Sequence, residues 1–233
     1  MDTDFSLILA SRERIPLLRQ FLQSVQDTTS VLSRLECFIA IDFDDNSTVC
    51  ESGKLMREYP WLRFCYFNRQ TNFTHYYNTI ARLTSGSILW LLNDDVILTR
   101  KGWDTETLNR LEEIKKEFPD GAVALAGKDN LNAGYFCFPC MTRPAYSAAG
   151  YLVHVENTTS CQDIHHHGQW SSAGRLVYCP SLEVFHFSPC CGTRGNDAVH
   201  DRYRAISRNN VSRACMEGEG NRIRNILETR ANS

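Results

Sequence analysis

Short apolar segments alternate with amphipathic stretches through the first hundred residues, and this alternation limits the possible folds more than any other feature. Four apolar segments are predicted to be strands, at residues 5–10, 37–41, 63–67 and 87–92. Between them, apolar side chains recur at helical spacing after Pro16 and over residues 49–58 and 75–83. The resulting order, β-α-β-α-β-α-β, predicts an α/β fold with a mostly parallel, doubly wound sheet.

Two acidic turns directly follow predicted strands. Residues 42–48 follow the second strand, and the Asn-Asp-Asp sequence at 93–95 follows the fourth and most apolar one. Ligands bind beyond the carboxyl ends of the strands in such sheets, so we expect both turns to open onto one crevice. Hard divalent cations prefer carboxylate oxygens, and residues 93–95 therefore suit a metal that neutralises a diphosphate. A turn that only caps a helix or solvates a loop is the alternative.

The second half of the chain alternates less regularly. Helices are predicted at 103–118, 144–149 and 163–173, and strands at 122–126, 175–178 and 183–186. From Ser188 onward the chain is polar and predicts a loop followed by a closing helix. We expect one domain over residues 1–233, divided into a first half (1–100), a more variable second half (101–190) and a loop with a closing segment (191–233).

Charge and cysteine content exclude some classes of protein. The 25 basic and 27 acidic side chains give a net charge of −2, so no basic field is expected to hold nucleic acid or an anionic membrane. The apolar run at 5–10 is too short for a signal segment or a membrane span, so we expect a cytoplasmic protein with reduced cysteines. Cys137 and Cys140 have the spacing of half a zinc knuckle, but the sequence has no second such pair. Whether they bind zinc is left open.

Several segments resemble, in order and spacing, the motifs of family 2-like GT-A glycosyltransferases. Residues 88–96 and 102–104 resemble the strand and turn that carry the DxD motif, and residues 44–48 are similar to a D-D-G-S-T turn. Residues 175–186 follow a pattern that ends in a histidine, His186 here. The other similar segments are 6–14, 72–86, 141–152 and 163–174. Together the resemblance covers about residues 5 to 190.

This resemblance implies a single GT-A domain, with residues 1–100 as the nucleotide-binding half and residues 101–190 as a smaller acceptor-side catalytic half. It also implies a UDP- or GDP-sugar donor and Mn²⁺ or Mg²⁺. In the family's DxD frame, Asp95 takes the metal-binding position, and His186 matches a histidine that binds metal in several members. A structural histidine at a strand end is the alternative for His186. The residues implied to contact the donor are Ala10, Ser11, Arg12, Arg14, Asp42, Asp44, Asp45, Asn78, Asn93 and Asp94.

Asp163 matches the aspartate of the family's E-D-x-D motif, and we interpret it as the general base. An acceptor hydroxyl is a poor nucleophile, so a carboxylate must remove its proton during attack, which suggests single displacement with inversion. Capping of the following helix is the alternative role. Gln162, His165 and Gly168 depart from the motif's glutamate, second aspartate and arginine, so the acceptor, a glycan or another hydroxyl compound, is expected to be bound unusually.

Further contacts are expected from two other segments. His165 or His167 could face the acceptor, with the rest of the run at 165–167 on the surface. The glycine-containing, locally basic segment after residue 190 could fold over the diphosphate, or it could be a solvated tail. Its candidate residues are Arg194, His200, Arg202 and Tyr203.

Two other functions stay open at this point. A nucleotidyltransferase would share the sheet and the acidic metal site, but it usually has a glycine-rich phosphate loop, and residues 10–15 contain no glycine. A non-catalytic nucleotide- or carbohydrate-binding domain is the other, because a fold does not establish activity.

Overall fold

The computed structural model describes residues 2–70, 72–131, 134–156, 162–189, 192–195 and 213–231. His200, Arg202 and Tyr203 lie outside these residues. Eight strands are present: β1 (Phe5–Ala10), β2 (Leu35–Asp42), β3 (Leu62–Phe67), β4 (Ile88–Leu91), β5 (Val96–Leu98), β6 (Ala124–Lys128), β7 (Cys140–Thr142) and β8 (Leu176–His186). The α-helices in the described residues are α1 (Ile15–Thr28), α2 (Asn46–Glu58), α3 (Phe73–Leu83), α4 (Trp103–Glu117), α5 (Arg143–Ala149), α6 (Gln162–Ser172) and α7 (Arg213–Ala231).

The strands form one sheet in the order β3-β2-β1-β4-β7-β6-β8-β5. The first four strands in this order are parallel, which confirms the doubly wound arrangement predicted from the first hundred residues. In the other half β6 and β8 are parallel, whereas β7 is antiparallel to both β4 and β6, and β5 is antiparallel to β8. The short strands β5 and β7 were not predicted, because three residues are too few to show an alternating pattern.

Strand β8 also differs from the prediction, since it joins two predicted strands into one. Its pairing with β6 is irregular between Ala126 and Lys128. A Cβ atom at Gly127 would collide with the carbonyl oxygen of Leu182, so glycine allows the two backbones to approach at this irregularity. One strand therefore runs from the sheet interior to the end that carries His186.

Helices cover both faces of the sheet, and successive side chains of β1 enter the core on opposite faces. Leu7 and Leu9 belong to a core cluster on one face, whereas Ile8 between them belongs to the cluster on the other. Successive strand residues point to opposite faces, so a wholly buried strand needs an apolar residue at almost every position. On the first face Trp103 of α4 packs edge-on against Trp90, with ring centroids 5.2 Å apart. On the second face Trp170 of α6 is fully buried.

None of the helices in the described part of the chain has both the length and the apolar character that a membrane span requires.

Candidate active site

A cavity of about 280 Å³ lies at the carboxyl ends of β1 and β4. Its lining combines the turn after β4 with the start of α6 and the end of β8. Eight of the residues predicted to bind donor, metal or diphosphate, or to act as the base, line it: Ala10, Arg14, Asn93, Asp94, Asp95, Asp163, His186 and Arg194. The structure therefore brings Asp95, Asp163 and His186 to one cavity, although they are far apart in the chain.

Asp95 is buried, and a side-chain nitrogen of another residue lies close to each oxygen of its carboxylate. Its Oδ1 lies 3.3 Å from Nε2 of His186, and its Oδ2 lies 2.8 Å from Nη2 of Arg194. Arg14 Nη1 is 3.8 Å from the same Oδ2. Burial alone would raise the pKa of Asp95, but the nearby His186, Arg194 and Arg14 outweigh it and lower this pKa, so the carboxylate is ionised.

The neighbouring Asp94 has a different environment. Its Oδ2 accepts a hydrogen bond of 2.8 Å from Ser11 Oγ, and its Oδ1 lies 3.2 Å from Arg14 Nη1. Burial raises the pKa of Asp94, Arg14 lowers it, and the adjacent Asp95 raises it further. Asp94 is thus bound to the loop after β1, which fixes that loop against the turn after β4.

The pair Asp95 and His186 has the geometry of two neighbouring ligands of a divalent cation. In the described residues, Asp95 Oδ1 and His186 Nδ1 are buried without a hydrogen-bond partner. Around a cation with bonds of about 2.1 Å, adjacent octahedral ligand atoms are about 3 Å apart. The observed 3.3 Å between Asp95 Oδ1 and His186 Nε2 fits this spacing. These residues therefore suit Mn²⁺ or Mg²⁺, with other positions left for a diphosphate.

Asp163 lies at the start of α6 with its side chain at the cavity. It is the second residue of α6, which begins at Gln162. Its Oδ1 accepts a hydrogen bond of 2.9 Å from the Ile164 amide. Burial raises the pKa of Asp163; Asp129 raises it and His186 lowers it to smaller extents. A carboxylate with a raised pKa is a stronger base than an exposed aspartate.

The second acidic turn does not line this cavity, contrary to the expectation that both turns would share it. Asp42 accepts a hydrogen bond of 3.0 Å from Arg12 Nη1 and another from the Tyr76 hydroxyl. Arg12 also bonds Asp44, at 2.5 Å. Asp45 caps α2 by accepting a hydrogen bond of 3.1 Å from the Thr48 amide.

The loop after β1 joins the two acidic turns. Ser11 and Arg14 contact Asp94, Arg12 contacts the turn after β2, and the Glu13 amide donates a hydrogen bond of 2.9 Å to Asp45. Glu13 has a positive φ of 55°, a conformation that is uncommon for a residue other than glycine. The strained loop therefore holds the two turns in a fixed relation, with Arg12 facing one and Arg14 facing the other.

Asn78 is placed differently from its predicted role at the donor. Its side-chain nitrogen donates to the Val153 carbonyl at 2.7 Å, and its oxygen accepts from the amides of Leu152 and Val153 at 2.9 and 3.0 Å. Asn78 is not among the residues that line the cavity. The amide side chain instead fixes the segment after α5 against α3.

The structure also corrects the prediction that His165 faces the acceptor and that His166 lies on the surface. His165 is 1% exposed and does not line the cavity; it faces His154 and Cys215. His166 is buried rather than on the surface, and its Nε2 lies 3.2 Å from the Cys140 carbonyl oxygen. His165 faces α7, which covers one side of α6, whereas His166 faces the sheet, since Cys140 lies in β7. The sequence pattern did not reveal either contact.

The cavity contains aromatic residues that the sequence did not single out. Phe138 packs edge-on against His186, with ring centroids 5.2 Å apart, and so limits the positions of the imidazole. Phe73 and the buried Tyr77, both on α3, also line the cavity. Phe73 and Tyr77 are four residues apart, so the sequence indicated that they share one face of a helix. The same spacing equally fits ordinary core packing. Cys137 lines the cavity too, whereas Cys140 is fully buried in β7.

No family model matches the sequence, and no curated relative matches it. The fold, in contrast, is similar to solved structures. A mannosyltransferase, PcManGT from Pyrobaculum calidifontis in complex with GDP-Man and Mn²⁺, superposes with a TM-score of 0.67 at 14% identity, over 98% of this chain and 74% of that one. Residues 1–349 of TarS from S. aureus give 0.60 at 12% identity, over 98% and 71% of the two chains.

GalNAc-T7 with UDP, GalNAc and Mn²⁺ gives a TM-score of 0.63 at 11% identity, over 79% of this chain and 44% of that one. At these identities the likeness establishes the fold. It confirms the architecture that the sequence motifs implied. The chain therefore has the GT-A glycosyltransferase fold.

Proposed function

We propose that the protein is a metal-dependent glycosyltransferase that moves a sugar from a nucleoside-diphosphate donor to an acceptor hydroxyl. The observation that carries this proposal is the meeting of Asp95, His186 and Asp163 at one cavity. Asp95 and His186 have side chains that can bind a cation, and Asp163 has one that can act as a base. Similar solved structures contain GDP-Man with Mn²⁺ or UDP with Mn²⁺, so UDP- and GDP-sugars are the proposed donors.

Asp95 and His186 would hold the divalent cation. The cation would supply positive charge to the diphosphate, which leaves with the nucleotide. Arg14 and Arg194, which now lie 3.8 and 2.8 Å from Asp95, are close enough to contact the same phosphates after small side-chain movements. Arg12, Asp42 and Asp44 at the adjoining turn are the proposed contacts to the nucleoside, within the half formed by residues 1–100.

Asp163 would act from the acceptor side of the cavity. The acceptor oxygen forms a bond to the anomeric carbon while the bond from that carbon to the phosphate oxygen breaks. The acceptor proton passes to the Asp163 carboxylate, and the bonding electrons leave with the diphosphate. One displacement at one carbon inverts its configuration. The raised pKa of Asp163 suits this role, because a buried carboxylate accepts a proton more readily.

Titration with a nucleotide panel tests this proposal directly. UDP, GDP, ADP and CDP would each be titrated by calorimetry with Mn²⁺, with Mg²⁺ and with EDTA, and the corresponding sugar donors would then be assayed for slow hydrolysis. We expect one or two nucleotides to bind only with metal, and their sugar donors to be hydrolysed. Metal-dependent binding without hydrolysis or transfer would favour a non-catalytic nucleotide-binding domain. Absence of metal-dependent binding to any nucleotide would refute the proposal.

A further inference from the structure

A second group of metal-binding side chains lies outside the cavity, on the other side of α6. His154, His165 and Cys215 come from the segment after α5, from α6 and from the first turn of α7. One potential ligand atom from each of the three lies within 4.8 Å of the other two. Cys215 Sγ is 3.9 Å from His165 Nε2, and the two imidazole rings are 4.7 Å apart between centroids.

The close packing of α6 against α7 builds this group. A Cβ atom at Gly168 would collide with the Met216 sulfur, and one at Gly220 would lie 2.6 Å from the Ser172 Cβ. Glycine on each helix therefore allows an approach that larger residues would prevent. Because the two helices are this close, Cys215, which is next to Met216, contacts His165.

We propose that His154, His165 and Cys215 bind a zinc ion, with Glu156 as the fourth ligand. Tetrahedral zinc with bonds of about 2.0 Å to nitrogen and about 2.3 Å to sulfur requires ligand atoms about 3.4–3.6 Å apart. The 3.9 Å between Cys215 and His165 needs only a small contraction. Glu156 already contacts the Cys215 thiol, which donates a hydrogen bond of 3.3 Å to Oε2 of Glu156. The Glu156 side chain is exposed and can turn toward a cation.

Glu219 is less suited to be the fourth ligand, because its carboxylate is already engaged. Its Oε2 accepts hydrogen bonds from Tyr151 at 2.8 Å and from Arg222 at 3.0 Å, and its Oε1 is 4.0 Å from His154 Nε2. Coordination by His154 Nε2 would place the ring proton on Nδ1 and break the 3.3 Å hydrogen bond that Nδ1 accepts from the Glu156 amide. That local change is compatible with Glu156 moving to the ion.

The donor atoms separate this site from the one at Asp95. A thiolate and two imidazoles select zinc over Mg²⁺ or Mn²⁺, whereas the Asp95 carboxylate beside a cavity open to phosphate oxygens favours the harder cations. A zinc ion here would join the segment after α5, α6 and α7 at one point. Its role would be structural, and it would be independent of donor binding.

Metal analysis of the full-length chain without a histidine tag tests the site. We expect about one zinc per chain after purification and dialysis, given four protein ligands. Cys215→Ser and His165→Gln should lose this zinc, whereas Cys50→Ser, which changes an exposed cysteine on α2, should keep it. Cobalt-substituted protein should show a sulfur-to-cobalt charge-transfer band. Zinc content that is the same in Cys215→Ser as in the wild type would overturn the proposal.

A measurement on the wild-type protein covers the case in which the variants do not fold. Zinc should protect the Cys215 thiol from alkylation by iodoacetamide, as read by mass spectrometry of the modified peptide, while the Cys50 peptide reacts at the same rate with or without zinc. Equal alkylation of Cys215 in the presence and absence of zinc would also overturn the proposal.

Discussion

Asp95 Oδ1 and His186 Nε2 lie 3.3 Å apart because of the register between two antiparallel strands. Strand β5 begins at Val96, which pairs with His186, the last residue of β8. The Phe187 amide then donates a hydrogen bond of 2.8 Å to the Asp95 carbonyl and extends the pairing by one step. A carboxylate that follows β4 and an imidazole that ends β8 are thereby held side by side.

Replacing Asp95 by asparagine should abolish the contribution of metal to nucleotide binding. The side chain keeps its shape but loses the charge that faces the cation. We expect nucleotide affinity in Mn²⁺ to fall at least about tenfold, or about 1.4 kcal/mol, as measured by calorimetry. Asp27→Asn, which alters an exposed aspartate on α1, should bind like the wild type. Unchanged affinity in Asp95→Asn would rule out Asp95 as a ligand.

Asp163→Asn should lower the rate of sugar transfer without changing the affinity for the nucleotide. An asparagine cannot accept the acceptor proton, so we expect kcat to fall about 10²- to 10⁴-fold. Affinity for the nucleotide should stay unchanged, since Asp163 is proposed to contact the acceptor rather than the donor. Transfer assays and calorimetry on the same preparation check both expectations. Near-normal turnover would remove Asp163 as the base.

The pH profile of transfer should have an acidic limb set by Asp163. A base acts only when it is deprotonated, so activity falls as the pH is lowered through its pKa. Burial raises this pKa above its ordinary 3.8, so the limb should lie at a higher pH than that value. Measurement of kcat/KM against pH at saturating metal checks this, and the residual activity of Asp163→Asn should lack that limb. The same limb in both proteins would assign it to another group.

Arg194→Ala should change two affinities in opposite directions. The Arg194 guanidinium lies 2.8 Å from Asp95 Oδ2, where it opposes an incoming cation. Its removal should tighten binding of Mn²⁺ alone but weaken binding of a nucleoside diphosphate, which loses a cationic contact. Mn²⁺ titration by electron paramagnetic resonance and nucleotide calorimetry measure the two. Arg100→Ala, at an exposed arginine paired with Glu106, is the control. Changes in the same direction would contradict this account.

Two glycines of α7 should respond oppositely to alanine. A Cβ at Gly220 would lie 2.7 Å from the Gln169 carbonyl oxygen, a backbone atom that cannot move freely, so Gly220→Ala should lower the free energy of unfolding by about 1–3 kcal/mol. No other part of the described chain would lie within 4 Å of a Cβ at Gly218, so Gly218→Ala should raise it by up to about 1 kcal/mol through helix propensity. Urea unfolding followed by circular dichroism measures both. Equal effects would show that α6 and α7 are not tightly packed.

The sequence predicted the parallel half of the sheet because its strands are mostly apolar and alternate with segments of helical periodicity. The segment 5–10 alternates between two cores and needs an apolar residue at nearly every position, which is a strong local signal. Strand β5 has only three residues, and its pairing with β8 depends on contacts between distant parts of the chain. The placement of Asp95 against His186 thus came from matched motifs, since local pattern holds no information on register.

The contacts of α6 were the hardest part to predict. His165 appears in the sequence as one of three consecutive histidines, and its partners His154 and Cys215 lie in other segments. Their proximity depends on Gly168 and Gly220, whose role is visible only when both helices are in place. For Asn78, the motif position predicted a contact with the donor. Its side-chain amide instead bonds the backbone at 152–153.

Among the described strands, β5 pairs only with β8, and it forms the last strand at one edge of the sheet. Val96 and Leu98 of this strand are buried in the core, and the Leu98 amide donates a hydrogen bond of 3.1 Å to Ser24 Oγ of α1. The distance between Asp95 and His186 therefore depends on how α1 packs against this edge of the sheet as well as on the three-residue ladder. In the proposed cation site, a substitution in α1 that is remote from the cavity would alter the spacing of the two ligands.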